Sequence, residues 1–154
     1  MKLIDFFNED NIFINFKSKD KIDFFQKINA YLLEKGLVKA TFLKAILERE
    51  KEFPTGLNLG CFNVAIPHCD PTHITVENII IVVPSEKIYF RDMGLNENDL
   101  PVDLIFLLLI KRGENQASIL EKLMEIFLED EAIKEIINCQ SEKQILNKIR
   151  EKFN

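Results

Sequence analysis

The sequence contains no tryptophan, two histidines, three cysteines, and only five glycines and five prolines among 154 residues. Each scarcity removes a class of protein. Cys61, Cys69 and Cys139 make an odd count without framework spacing, so a disulfide scaffold is excluded and reduced thiols in a cytosolic protein are expected. No stretch rich in Pro, Gly or Ser marks a linker, and no internal repeat or low-complexity segment occurs, which predicts one domain over residues 1–154. The longest apolar run, Leu104–Ile110, is too short to cross a hydrocarbon layer of about 30 Å. Met1–Asp10 carries three acidic residues and no continuous apolar core, which argues against a secretory signal and for a cytoplasmic location. Cations are the minority, 20 Lys and Arg against 25 Asp and Glu, and they alternate with acids along helix-like segments. Contacts to a phosphate backbone need clustered cations, so a general nucleic-acid binder is excluded.

What the chain does have is a 47% apolar share that includes thirteen phenylalanines. That is enough for an aliphatic, Phe-rich core. The segment "NIFINF" (11–16) alternates at period two and predicts a first strand. Apolar residues in 20–35 recur at helical spacing, from Ile22 and Phe25 to Leu32 and Leu33, with Gly36 as C-cap. A second helix is predicted over 40–51, with Phe42, Leu43, Ile46 and Leu47 on one side, closed by a turn at Pro54, Thr55 and Gly56. Residues 63–66 read as a short strand, and "VENIIIVVP" (76–84) as a central strand buried on both faces. "IYF" (88–90) is a further short strand. The run 102–110 is read as one strand, stopped by Lys111, Arg112 and Gly113. Helices are predicted over 117–128 and 131–138, and another after a Ser141/Gln144 capping box, with Ile145, Leu146, Ile149 and Phe153 turned inward. The pattern is α/β: a mixed, mostly buried β-sheet flanked by helices.

Both histidines lie in "VAIPHCDPTH", where an alternating apolar run delivers His68 between Pro67 and Pro71. Pro67 fixes one backbone dihedral and Pro71 confines Asp70 to extended conformations, so backbone stiffness holds the imidazole. In open α/β sheets reactive groups gather where strands end. A lone loop histidine is more often a surface residue than a catalytic one. The two prolines weigh against that, as do Arg49 and Thr55 upstream in "EREKEFPTG". A guanidinium and a hydroxyl beside an imidazole suit phosphoryl transfer, in which charge spreads over three oxygens. Spacing alone does not bring these groups together. A metal site from His68, Cys69, Asp70 and His73 has suitable donors, but no second Cys/His pair and no helical register. Cys69 as a nucleophile paired with His68 is disfavoured, because adjacent side chains on an extended chain point apart.

The pattern "ERE…FPTGLNLG…VAIPHCDP" resembles the signature of the fructose/mannitol-type EIIA domains of the bacterial sugar phosphotransferase system. In those domains a helix ending in Arg-Glu leads through a Thr-Gly-type turn to a strand ending A-[IV]-P-H. "FRDMG" (90–94), "VDLIFLLLIK" (102–111) and "QASILEKLMEIF" (116–127) extend the resemblance, most closely toward the galactitol-type branch. It implies that His68 accepts a phosphoryl group from the small carrier HPr and passes it to a cysteine of the sugar-specific EIIB. It further implies that Arg49 contacts the phosphate and that Thr55 is the phosphate-binding Ser/Thr of the turn. Mannitol-type members carry a second active-site histidine where this chain has Gln116, as galactitol-type chains do. A Gln amide can donate to a phosphate oxygen but cannot take up a proton, so pH dependence is expected from His68 alone. His73 lies outside the signature and is read as a surface residue.

In this scheme the neutral His68 ring is the nucleophile and needs an acceptor on its other nitrogen, which the sequence does not name. No metal or organic cofactor is implied, and the membrane is reached only indirectly, through EIIB and its membrane subunit. Both partners dock over one histidine in turn, so each interface is expected at or below about 1,200 Å². Phe53, Leu57 and Ile74 are candidates for that surface. The alternative reading is a regulatory EIIA-like protein that senses phosphorylation state through protein binding; a metal-binding or purely structural protein is a third. The galactitol-like C-terminal half, with no regulator domain attached, favours transport.

Overall fold

The computed structural model describes residues 2–94 and 97–153, in which a five-stranded sheet separates two apolar cores. In chain order the elements are β1 (Ile12–Phe16), α1 (Lys21–Glu34), α2 (Phe42–Glu52), β2 (Gly56–Asn58), β3 (Asn63–Ala65) and β4 (Asn78–Pro84). They continue with β5 (Ile88–Arg91), β6 (Asp99–Val102), β7 (Leu104–Leu109), α3 (Gly113–Phe127), α4 (Asp130–Ile137) and α5 (Glu142–Lys152). Short 3-10 turns lie at Leu3–Phe6, Glu9–Asn11 and Pro71–His73.

The sheet runs β1-β4-β7-β3-β2, parallel at β1/β4 and β3/β7 and antiparallel at β4/β7 and β2/β3. The expected mixed, buried sheet is thus observed. Its centre reads as unbroken apolar runs because alternate residues enter different cores. Leu104, Phe106 and Leu108 of β7, with Ile79 and Ile81 of β4, pack against α3, α4 and α5. Ile105, Leu107 and Leu109, with Ile80 and Val82, face α1, α2 and the β5–β6 hairpin. At about 1.5–3 kcal/mol per fully buried large side chain, these two strands anchor the fold.

Local chemistry sets the helix ends. Asp20 caps α1 by accepting from the Asp23 N–H at 2.8 Å, and Gly36, at φ 71°, ends it. Ser141 caps α5 by accepting from the Gln144 N–H, while the Gln144 side chain accepts from the Gln140 N–H. The inward positions of α5 are buried as expected, and Phe153 stacks on Phe7.

Three expectations need correction. The run 102–110 is two strands, because Asp103 breaks it: its carboxylate accepts from the Asn63 N–H at 3.0 Å and pairs with Lys87 at 3.1 Å. The upstream piece, β6, pairs with β5 as a separate hairpin. Residues 56–58, read only as the exit of a turn, form the edge strand β2. Finally, α3 begins at Gly113, four residues before the predicted start, which puts Gln116 inside its first turn.

Candidate active site

Strand pairing decides what surrounds His68. The register Val64↔Leu104 and Ala65↔Ile105 continues past β3 as a parallel bridge between His68 and Leu108, with the Leu108 N–H donating to the Pro67 carbonyl at 3.0 Å. His68 therefore stands beside the end of β7, and four residues beyond that end α3 begins. On the other flank, β2 pairs with β3 (Gly56↔Ala65), and the Ile66 N–H donates to the Thr55 carbonyl at 3.3 Å, which draws the end of α2 alongside. The result is a cleft of about 360 Å³. The last turns of α2 bring Glu48, Arg49 and Glu52 to it, the exit of β3 brings His68, Cys69 and Asp70, and α3 brings Gln116.

The missing acceptor is a backbone carbonyl. His68 Nδ1 lies 2.8 Å from the oxygen of Ile66. A carbonyl can only accept, so Nδ1 carries the proton and Nε2 keeps its lone pair. Burial holds the ring's pKa below its ordinary 6.5; the Ile66 bond opposes that and the Arg49 charge adds to it. At neutral pH the ring is uncharged, with a lone pair on Nε2.

Arg49 lies in the last turn of α2, where the helix carbonyls favour a cation. Its guanidinium sits 4.3 Å from the ring centroid of Phe53, and it takes part in none of the ion pairs between described residues. It is therefore available to an anion in the cleft. Gln116 offers a second donor: its Nε2 is buried and has no hydrogen-bond partner among the described residues. A buried orphan donor costs about 1–3 kcal/mol, a cost that a phosphate oxygen in the cleft would relieve. The corner that sets Gln116 is steadied by Glu77, whose carboxylate accepts from the Lys111 N–H at 2.8 Å and the Arg112 N–H at 3.3 Å.

The structure thus brings His68, Arg49 and Gln116 together, but not the side chain of Thr55. Thr55 is 3% exposed and does not line the cleft. Its N–H and hydroxyl bond the carboxyl of Glu50 at 2.8 and 2.5 Å. Glu50, which sequence reasoning passed over, is buried, and burial pushes its pKa from 4.5 up to about 7. Lys21, Arg49 and the bonds from Thr55 pull against that rise. Thr55 and Glu50 lock the turn to the helix that carries Arg49.

His73 also departs from expectation: it is half-buried and lines the same cleft. Cys69 is buried, and burial pushes its thiol up to about 12, so no thiolate forms there. Among the described residues, no three His, Cys, Asp or Glu side chains group as metal ligands would. Of the three apolar candidates for a docking surface, only Phe53 is exposed, at 50%; Leu57 packs on a core and Ile74 is 1% exposed.

The chain belongs to the EIIA 2 family of the phosphoenolpyruvate-dependent sugar phosphotransferase system, whose family model matches residues 5–152. It is 33% identical over 104 residues to the galactitol-specific EIIA component of the Escherichia coli phosphotransferase system, covering 68% of this chain and 69% of that protein. The fold is similar to the solution structure of the mannitol-specific cryptic phosphotransferase enzyme IIA of Escherichia coli, with TM-score 0.76, 23% identity and coverage of 98% and 99%. It is also similar to the mannitol enzyme IIA of Escherichia coli in its complex with phosphorylated enzyme IIB, with TM-score 0.75, 20% identity and coverage of 94% and 99%. No helix of the described residues is long and apolar enough to cross a membrane.

Proposed function

We propose that the chain is a phosphocarrier whose His68 accepts a phosphoryl group from phospho-HPr and donates it to a cysteine of a sugar-specific EIIB, in the coupled uptake and phosphorylation of a galactitol-like polyol or related sugar. The observation that carries this reading is the His68 ring itself. Nδ1–H is committed to the Ile66 carbonyl, so a free Nε2 lone pair is left beside an unpaired guanidinium and an unpartnered amide donor.

In the first step, Nε2 attacks the phosphorus of the donor phosphohistidine in line. The new P–N bond forms as the donor's P–N bond breaks, and the donor ring leaves with that electron pair. Arg49 and Gln116 stabilise the charge spread over the equatorial oxygens. The positive charge that His68 gains is shared with the Ile66 carbonyl through Nδ1–H. In the second step a cysteine thiolate attacks the same phosphorus from the opposite side, and His68 leaves as the neutral tautomer it began as. The galactitol-like substrate class is supported by the 33% identity to a galactitol-specific component, and the EIIB partner by the fold's likeness to a protein solved in complex with phosphorylated enzyme IIB.

The test is incubation with phosphoenolpyruvate, enzyme I and HPr, followed by intact-mass measurement. One acid-labile phosphate is expected on the wild type and none on His68→Ala. An unlabelled wild type, or a labelled His68→Ala, overturns the reading.

A further inference from the structure

His73 ends the 3-10 turn Pro71–His73, and its backbone is tied to the connection between α1 and α2. The Lys39 N–H donates to the His73 carbonyl at 3.0 Å, and Val38 bridges Ile74. Its ring is held as well, with Nδ1 2.7 Å from the hydroxyl of Thr41. Thr41 occupies the N-cap of α2, yet its hydroxyl accepts from no helix N–H. The group that would ordinarily cap the helix is given to the imidazole instead.

The partner's chemistry separates the two imidazoles. A carbonyl holds His68 in one tautomer. A hydroxyl can donate to the bare Nδ1 of a neutral ring, and can also rotate to accept from the Nδ1–H of an imidazolium. The Thr41 tether is therefore compatible with either protonation state of His73, and Nε2 takes no part in it.

Charge gives it a reason to change. The cleft is lined by Glu48 and Glu52 of α2 and by Asp70, against the single cation Arg49. Cys69 stays a neutral thiol, Gln116 is uncharged, and Lys39 meets His73 through its backbone. A phosphoryl group on His68 adds roughly −1.5 to −2 to that excess of negative charge. Of the side chains that line the cleft, His73 is the one left whose protonation would add a second positive charge.

We propose that His73 takes up a proton from solvent when His68 is phosphorylated and that its Nε2–H then faces the phosphoryl group, which makes it a second charge-bearing residue of the transfer site. This rests on the phosphocarrier reading above and reverses the expectation that pH dependence comes from His68 alone.

The experiment is a pH titration of the histidine ring signals by NMR, run on the wild type before and after phosphorylation by enzyme I, HPr and excess phosphoenolpyruvate. The rate of transfer from phospho-HPr to wild type, His73→Asn and Thr41→Val is measured alongside. The His73 pKa should rise by about one unit on phosphorylation, as an opposite charge nearby requires. His73→Asn should slow transfer about three- to tenfold, most at pH values where His73 is protonated in the phosphorylated protein, and Thr41→Val, which removes the tether on Nδ1, should diminish the pKa rise. A His73 pKa that is unchanged in fully phosphorylated protein, or a His73→Asn rate equal to wild type at every pH, overturns the proposal and leaves the carrier role standing. A wild type that takes no phosphate overturns both.

Discussion

Glutamine in place of Glu50 should make stability less sensitive to pH. The Glu50 carboxyl is 2% exposed, and burial pushes its pKa from 4.5 up to about 7 despite two hydrogen bonds from Thr55. Between those values the folded chain holds a proton that the unfolded chain has released. Unfolding free energy therefore falls as pH rises through that window, and the loss is complete above about pH 7. At about 1.4 kcal/mol per pH unit, the move from 4.5 to about 7 amounts to about 3 kcal/mol. Glutamine is neutral throughout and keeps an acceptor for the Thr55 N–H. Urea unfolding of wild type and Glu50→Gln from about pH 4.5 to about pH 8 measures the difference, in which the titrations of His68 and the surface carboxylates cancel. Stability should move in favour of the variant by about 3 kcal/mol across the range. Parallel curves would refute the assignment of a buried, reluctantly ionised carboxyl.

Gln116→Leu should separate stability from activity. Removing the orphan amide should leave stability equal or raise it by about 1 kcal/mol, while transfer from phospho-HPr slows about 10- to 100-fold through loss of a hydrogen bond to a charged oxygen. Equal losses in urea midpoint and rate would contradict this. Arg49→Lys should lower the transfer rate on the order of 100-fold with little change in stability, because an ammonium cannot reproduce the planar fork or its stacking on Phe53; rapid-quench kinetics with labelled phospho-HPr would measure it. Gly56→Ala should cost about 1–3 kcal/mol in urea unfolding, since the added Cβ would stand 2.6 Å from the Arg91 carbonyl oxygen. A Gly56→Ala protein as stable as wild type would mean that β5 does not press on the edge strand there.

The elements that were legible in the sequence are those whose signal is local. The period of α1, the apolar run of β4 and the Ser141 cap each depend on neighbours within a few residues. The split between β6 and β7 was hidden because Asp103, one charge within an apolar run, acts through Asn63, forty residues upstream. At the site, the family pattern names His68, Arg49 and Gln116 as candidates, and the parallel pairing of β3 with β7 is what sets the helix carrying Gln116 beside His68. Thr55 was misplaced because nothing in the turn reveals that Glu50, five residues earlier, claims its hydroxyl. His73 was missed for the same kind of reason: its tether, Thr41, lies 32 residues away and leaves no periodic trace.

The identity of the group behind the His68 ring bears on how a carrier differs from an enzyme that keeps its intermediate. A carboxylate on Nδ1–H would raise the basicity of the imidazole and stabilise the phosphorylated, positively charged ring through a charge-assisted hydrogen bond, which is roughly twice as strong as a neutral one. Loading would be favoured and discharge to the next nucleophile slowed. The Ile66 carbonyl fixes the tautomer as firmly but adds no full charge, and burial lowers the ring's affinity for protons further. In the proposed mechanism, stabilisation of the transferred group then falls to Arg49 and Gln116, which would act on the phosphoryl oxygens and release them with the group. For a ring that takes and gives a phosphoryl group as proposed, a neutral backbone acceptor would keep the two directions of transfer closer in free energy than a carboxylate would.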